Sequence, residues 1–247
     1  VRSRIVDGSS GLHVQWRRNL RASRVADIPN DPDDIAWNDE EQVRIPIAPL
    51  WWRKEAVFEV RVRAVHDDNR LVFQLQWDDP TRDDRSASGA PQGDGAAVQI
   101  TEEAEPPMFA MGGNEGVEIW HWKAFRSEEV AGALDLLGRI GHDEVDMPRV
   151  IPGVTQPMRT GEALRVHGPI GMTTGRGQGR AIVATPRWRD GVWTLVISRG
   201  LRARKTDELA IAPRQRLFVA FAVWNGSIDL HAASKSVSTW HALELAR

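Results

Sequence analysis

The sequence predicts a mainly β fold, an antiparallel β-sandwich with one short helix and long loops, built as a single domain over residues 1–247. Three observations carry this reading. Several segments alternate apolar and polar residues with period two, an Asp-Gly pair joins two such runs, and only one stretch has convincing helical character.

Residues 1–40 contain "DIPNDPDDIAWNDEE", where two prolines and many Asx residues favour turns, so an extended segment laid across the surface is expected there. "VFEVRVRAVHD" sets Phe58, Val60, Val62 and Ala64 against Glu59, Arg61 and Arg63, the pattern of a half-buried strand. "RLVFQLQWDDP" does the same with Leu71, Phe73, Leu75 and Trp77 inward, until Asp78, Asp79 and Pro80 end it. The polar run that follows reads as a long surface loop, and "AAVQI" restarts a strand. "RSEEVAGALDLLGRI" is the predicted helix, with Ser127 as N-cap and two glutamates in its first turn. "AIVATPRWRDGVWTLVISRGL" reads as a hairpin turning at Asp190-Gly191. The nearly all-apolar "RLFVAFAVWNGS" is expected as a central strand buried on both faces, and "KSVSTWHALELA" as one closing alternating strand.

Composition excludes several functions. With 32 basic against 34 acidic residues, the chain lacks the positive field that nucleic acid or an anionic membrane surface requires. It has no cysteine, which rules out disulfides, thiolate metal sites, iron–sulfur ligation and covalent haem attachment through Cys-x-x-Cys-His. No apolar run approaches the ~18 residues of a membrane span. The sequence opens at Val1 without a charged-then-apolar leader, so a mature soluble protein is the expectation.

Two local motifs invite a function and fail to carry one. "GRGQG" at 175–179 lacks the Lys and Ser/Thr of a phosphate loop and precedes a strand rather than a helix. "GHDEVD" around His142 offers an imidazole and three carboxylates, but without fixed ligand spacing it reads as a solvated loop tip. Neither G-x-S-x-G nor H-E-x-x-H is present, so nothing argues for hydrolysis.

The informative stretch is "MFAMGGNEGVEIWHWKA", residues 108–124. Met111 precedes Gly112 and Gly113, whose missing side chains let backbone approach a large flat ligand. The strand after it alternates Val117, Ile119 and His121 with Glu118, Trp120 and Trp122. A methionine beside a turn is by itself ordinary core filling, and Lys235 between a polar loop and the last strand reads by itself as solvent-facing.

Together, "MFAMGGNEGVEIWHWKA", "FVAFAVWNGS" and "KSVSTWHALEL", with "LQWDDPTRDD" and "GDGAAVQI" in support, resemble the haem-binding gamma subunit of the ethylbenzene dehydrogenase family. Relatives in that family serve dimethylsulfide dehydrogenase, chlorate reductase and selenate reductase, all type II members of the dimethyl sulfoxide reductase family. The resemblance spans most of residues 57–245. It implies one non-covalent haem b within the sandwich, with the iron held axially by Met111 and Lys235, Met108 being a rival for the first role. Gly112 would admit the porphyrin, and Trp120 or Trp122 would flank it. A thioether favours ferrous iron, an amine ligates only after losing its proton, and two filled axial positions leave an electron carrier rather than a catalyst. Histidine is the commoner haem ligand, so His121, sharing a face with Ile119, and His241, sharing one with Val237 and Leu243, are the rival donors.

The resemblance further implies a periplasmic heterotrimer. Its partners would be a molybdenum-containing catalytic alpha subunit and an iron–sulfur beta subunit, with a soluble redox protein such as a c-type cytochrome beyond. Eleven tryptophans without a tyrosine leave a second class open, a carbohydrate-binding module that stacks aromatic faces on sugars.

Overall fold

The computed structural model describes residues 19–50, 52, 54–84, 93–102, 117–124, 162–167, 172–175, 182–203, 209–212, 216–227 and 235–246. Two sheets face each other. One is formed by β4 (Glu59–His66), β5 (Arg70–Asp78), β10 (Ile182–Arg189) and β11 (Val192–Gly200), with β2 (Val43–Pro46) beside β4. The other runs through β14 (His241–Leu245), β12 (Leu217–Trp224), β6 (Gly95–Thr101), β7 (Glu118–Lys123), β8 (Glu162–His167) and β9 (Met172–Gly175). The predicted mainly β sandwich is what forms. The predicted helix after residue 126, the "GHDEVD" motif, the "GRGQG" motif beyond Gly175 and the stretch from Met108 to Gly113 lie outside the described residues.

Alternation fills the space between the sheets. Val60, Val62, Leu71, Phe73, Leu75 and Trp77 from the first sheet meet Val98, Ile100, Trp120, Trp122, Val219 and Phe221 from the second in one buried cluster. Phe58 departs from the expected inward set and is 42% exposed, because β4 starts only at Glu59. Trp77, Trp122 and Trp193 touch one another, with centroids 5.2 to 6.4 Å apart, and Phe73 meets Trp120 edge-on at 5.7 Å. The hairpin turns where expected. Asp190 and Gly191 both take positive φ, 52° and 76°, as the two-residue turn that matches strand twist requires.

The segment over residues 1–40 is not simply laid across the surface. Its described part begins with β1 (Asn19–Arg24), which pairs in parallel with β14 and with β4 and so belongs to both sheets. These two parallel pairings are the exceptions to an otherwise antiparallel ladder set among the described strands. Beyond β1 the chain crosses the outer face of the first sheet. Trp37, on a 3-10 turn over Ile35–Asp39, packs with Ile28 on Val65, Val72 and Val196.

The closing strand is two strands. β13 (Lys235–Val237), which also pairs with the two-residue β3 (Ala48–Pro49), and β14 both pair antiparallel with β12, yet Ala222 opposes Val237 while Val219 opposes His241, so one extra residue sits between them. Ser238 makes this bulge. Its backbone N–H donates to the Phe221 carbonyl at 2.9 Å, and its hydroxyl accepts the Phe221 N–H at 2.9 Å in place of a strand carbonyl. A one-residue slip exchanges faces. Val237 consequently packs outside the sandwich, whereas Leu243 packs within it, and the expected shared face of Val237, His241 and Leu243 does not exist.

At the end of β12, Gly226 is enclosed. A Cβ there would lie 2.6 Å from Asp83 Cβ and 2.8 Å from the Gly93 carbonyl carbon. Gly226→Ala should therefore lower stability by about 1–3 kcal/mol through overpacking, read as a reduced denaturation midpoint with an unchanged slope.

Candidate functional site

The second sheet buries both faces. Even-numbered residues of β7 and odd-numbered residues of β12 point between the sheets, and the alternate set forms a separate apolar cluster on the outer face. That outer cluster comprises Ala97, Val117, Ile119, Phe218, Ala220, Ala222, Val237 and Trp240, with Trp224 packed against it. Its centre is built from alanines on neighbouring strands, and larger side chains stand around them. Side-chain bulk is therefore least at the centre of this face.

Lys235 sits on this face. Two residues before Val237 on one strand, it shares that residue's side, the Ser238 bulge sets this side opposite to that of Leu243, and pairing of β12 with β13 places Lys235 opposite Trp224. It is only 2% exposed, so the solvent-facing reading of this lysine does not hold. Its Nζ lies 5.6 Å from the centroid of the Trp224 ring, and the His121 ring lies 4.9 Å from the same indole. The structure thus brings Lys235, Trp224 and His121 together on an apolar face, where an amine that loses its proton becomes a good donor.

Trp120 and Trp122 are elsewhere. Both are fully buried between the sheets, on the face of β7 opposite to His121. Trp120 Nε1 donates to Glu118 Oε1 at 2.7 Å, and Trp122 packs on Trp77 and Trp193. As placed, they brace the interior rather than flank anything at Lys235. His241 is likewise turned to the inner side of its sheet, paired with Val219, and is 1% exposed. Met111, Gly112 and Met108 lie outside the described residues.

Trp224 and the alanine centre of this face were missed by sequence reading. The signal was present in "LFVAFAVW", where Phe218, Ala220, Ala222 and Trp224 form a face of an all-apolar strand that has two alanines at its centre. All-apolar strands hide their sidedness from hydropathy, and only side-chain size distinguishes the two faces.

Glu118 organises the inner face next to this site. Its carboxylate takes an ion pair from Arg199, the Trp120 indole N–H, and the Leu209 backbone N–H at 3.2 Å. Arg199 also donates to the Leu209 carbonyl and lies over the Trp120 ring at 5.8 Å. The pair staples the second sheet to the first. Among the described residues no helix is long and apolar enough to cross a membrane.

A family model described as ethylbenzene dehydrogenase matches residues 160–236, a span that ends one residue beyond Lys235. The chain is 30% identical over 223 residues to a protein of Haloferax mediterranei provisionally named as a respiratory nitrate reductase haem subunit, covering 87% of this chain and 68% of that one. It is 29% identical over 225 residues to the dimethylsulfide dehydrogenase subunit gamma of Rhodovulum sulfidophilum, covering 85% and 72%. Among solved structures, a protein of Bacteroides uniformis provisionally described as carbohydrate-binding superposes with a TM-score of 0.53 at 9% identity, over 93% of this chain and 99% of that one. That likeness is one of fold alone.

Proposed function

The chain belongs to the haem-binding gamma-subunit family of the ethylbenzene and dimethylsulfide dehydrogenase type, and on that premise we propose that it is the electron-transfer subunit of a molybdenum oxidoreductase. One non-covalent haem b would supply one-electron chemistry, passing electrons between an iron–sulfur subunit and a soluble redox protein such as a c-type cytochrome. The catalytic subunit would carry the molybdenum, this chain would catalyse nothing itself, and the assembly would be a periplasmic heterotrimer.

The observation that carries the reading is the position of Lys235. A lysine 2% exposed on an apolar face fits a metal-bound neutral amine better than a surface charge. Lys235 and Met111 would hold the iron, as the resemblance implies, and Gly112, next to Met111 in sequence, would admit the porphyrin. Trp224 and His121 would lie beside the amine and exclude water from it. The carbohydrate alternative loses its support: of the described tryptophans only Trp52 is exposed, so the indoles chiefly serve the core.

An absorption spectrum of the purified full chain tests this directly. A Soret band with α and β bands that sharpen on dithionite reduction is expected. A colourless protein that takes up no added haem and is retained on polysaccharide would overturn the assignment.

Single substitutions then locate the ring. Trp122→Phe should cost about 1–3 kcal/mol of folding stability and leave the bands unmoved, because it thins the inner core only. Trp224→Phe should shift the bands with little change in the unfolding midpoint. The reverse pattern would place the porphyrin between the sheets.

A further inference from the structure

The polar run after β5, expected as a surface loop, turns three carboxylates inward. Asp79 and Asp94 are fully buried and Asp83 is half-buried, and one oxygen of each lies within 4.8 Å of the others. Asp94 is held from three sides. Its Oδ1 accepts the Gly226 N–H at 2.8 Å, while its Oδ2 accepts the Asp83 N–H at 2.8 Å and the Trp193 indole N–H at 2.9 Å. The Thr81 hydroxyl lies 3.1 Å from Asp79 Oδ1 and 2.7 Å from Asp83 Oδ2.

Asp79 Oδ2 differs from all of these. It has no solvent-accessible surface and no hydrogen-bond partner, although its carboxyl faces Asp94 closely enough to be perturbed by it. Among the described residues no lysine or arginine pairs with Asp79, Asp83 or Asp94, and the neighbouring Arg82 is committed to Asp84 at 2.5 Å. A buried carboxylate oxygen without donor or counter-charge is costly, and another atom must satisfy it.

We propose that Asp79, Asp83 and Asp94 form a binding site for a hard divalent cation, calcium by its chemistry. All donors are oxygen. A cluster of three carboxylates, two of them buried, suits calcium, which accepts many oxygen ligands in varied geometry, better than magnesium, which keeps several waters and demands an octahedron. The ion would tie the loop after β5 to the residue preceding β6 and to the turn after β12. Gly95, next to Asp94, pairs with Trp224, which in turn pairs with Lys235, so the ion would brace the strand ends that bear the outer face. The inference does not depend on a haem.

The rival occupant is a proton. Burial, and after it the charge of Asp94, pushes the Asp79 carboxyl up to about 8, so a shared proton could also quiet the pair. The full chain is therefore treated with a chelator, dialysed, and titrated with calcium chloride while its thermal midpoint is followed. Terbium provides a second readout, because the Trp193 indole beside Asp94 is positioned to sensitise its emission.

A midpoint rise of several degrees at saturating calcium is expected, with tryptophan-sensitised terbium emission that calcium displaces. Both responses should vanish in Asp79→Asn, whose amide satisfies Asp94 and keeps the variant folded, and in Asp94→Asn. A wild-type protein indifferent to both ions, with Asp79→Asn more stable than it after chelation, would establish the proton instead and overturn the proposal. Terbium emission retained in both variants would also overturn it.

Discussion

Lys235→Ala is expected to abolish the low-spin, six-coordinate haem spectrum, leaving a five-coordinate species or a colourless protein. The amine is buried on an apolar face among the described residues, and nothing introduced by alanine can reach the metal. Lys235→His should keep six-coordinate iron, since imidazole is also a good donor, but at an altered potential. Unfolding of the haem-free forms separates ligation from folding. A variant that retains its unfolding midpoint and loses its low-spin bands has lost a ligand, whereas an unchanged Lys235→Ala spectrum removes Lys235 from the iron.

Breaking the Glu118–Arg199 pair should have the largest effect on stability. Both side chains are buried, with Arg199 4% and Glu118 11% exposed, so removing one partner strands an uncompensated charge between the sheets. Glu118→Gln or Arg199→Met should each cost about 3–5 kcal/mol, a large part of the ~5–15 kcal/mol that holds a domain folded. The double replacement Glu118→Leu with Arg199→Met should recover part of this loss. It cannot recover all, because the N–H and carbonyl of Leu209 both bond to the pair and would be left without those partners. Chemical denaturation of the two singles and the double gives the coupling directly.

The fold was legible wherever one face of a strand is polar. Val60 and Val62, or Leu71 through Trp77, declare their inward side by alternation, and Asp190-Gly191 declares its turn by backbone demand alone. The site was legible only in part. Lys235 could be named by its motif, but its face depends on the Ser238 bulge, and a one-residue slip leaves no trace in hydropathy. Trp120 and Trp122 could not be assigned to a side because both faces of β7 are apolar, and partner strands alone settle the matter. The carboxylate of Asp94, at the far end of the polar run, looked solvated for a similar reason. Its donors Gly226 and Trp193 lie 132 and 99 residues away in sequence. Local composition cannot anticipate such distant partners.

The parallel strand shared by both sheets sets an order of events. Asn19 meets Ala242 and Ser23 meets Val65, so the seam of the sandwich joins one of the earliest described segments to one of the latest. Such non-local pairing makes assembly slow, since the entropy of closing that loop is lost before any ladder bond repays it. Until ribosomal synthesis has delivered β14, the edges awaiting it stay open to intermolecular pairing. A nascent chain of this kind is a natural client for chaperones, and a haem held at Lys235 as proposed, six residues before that strand, would enter at the end of maturation rather than its beginning.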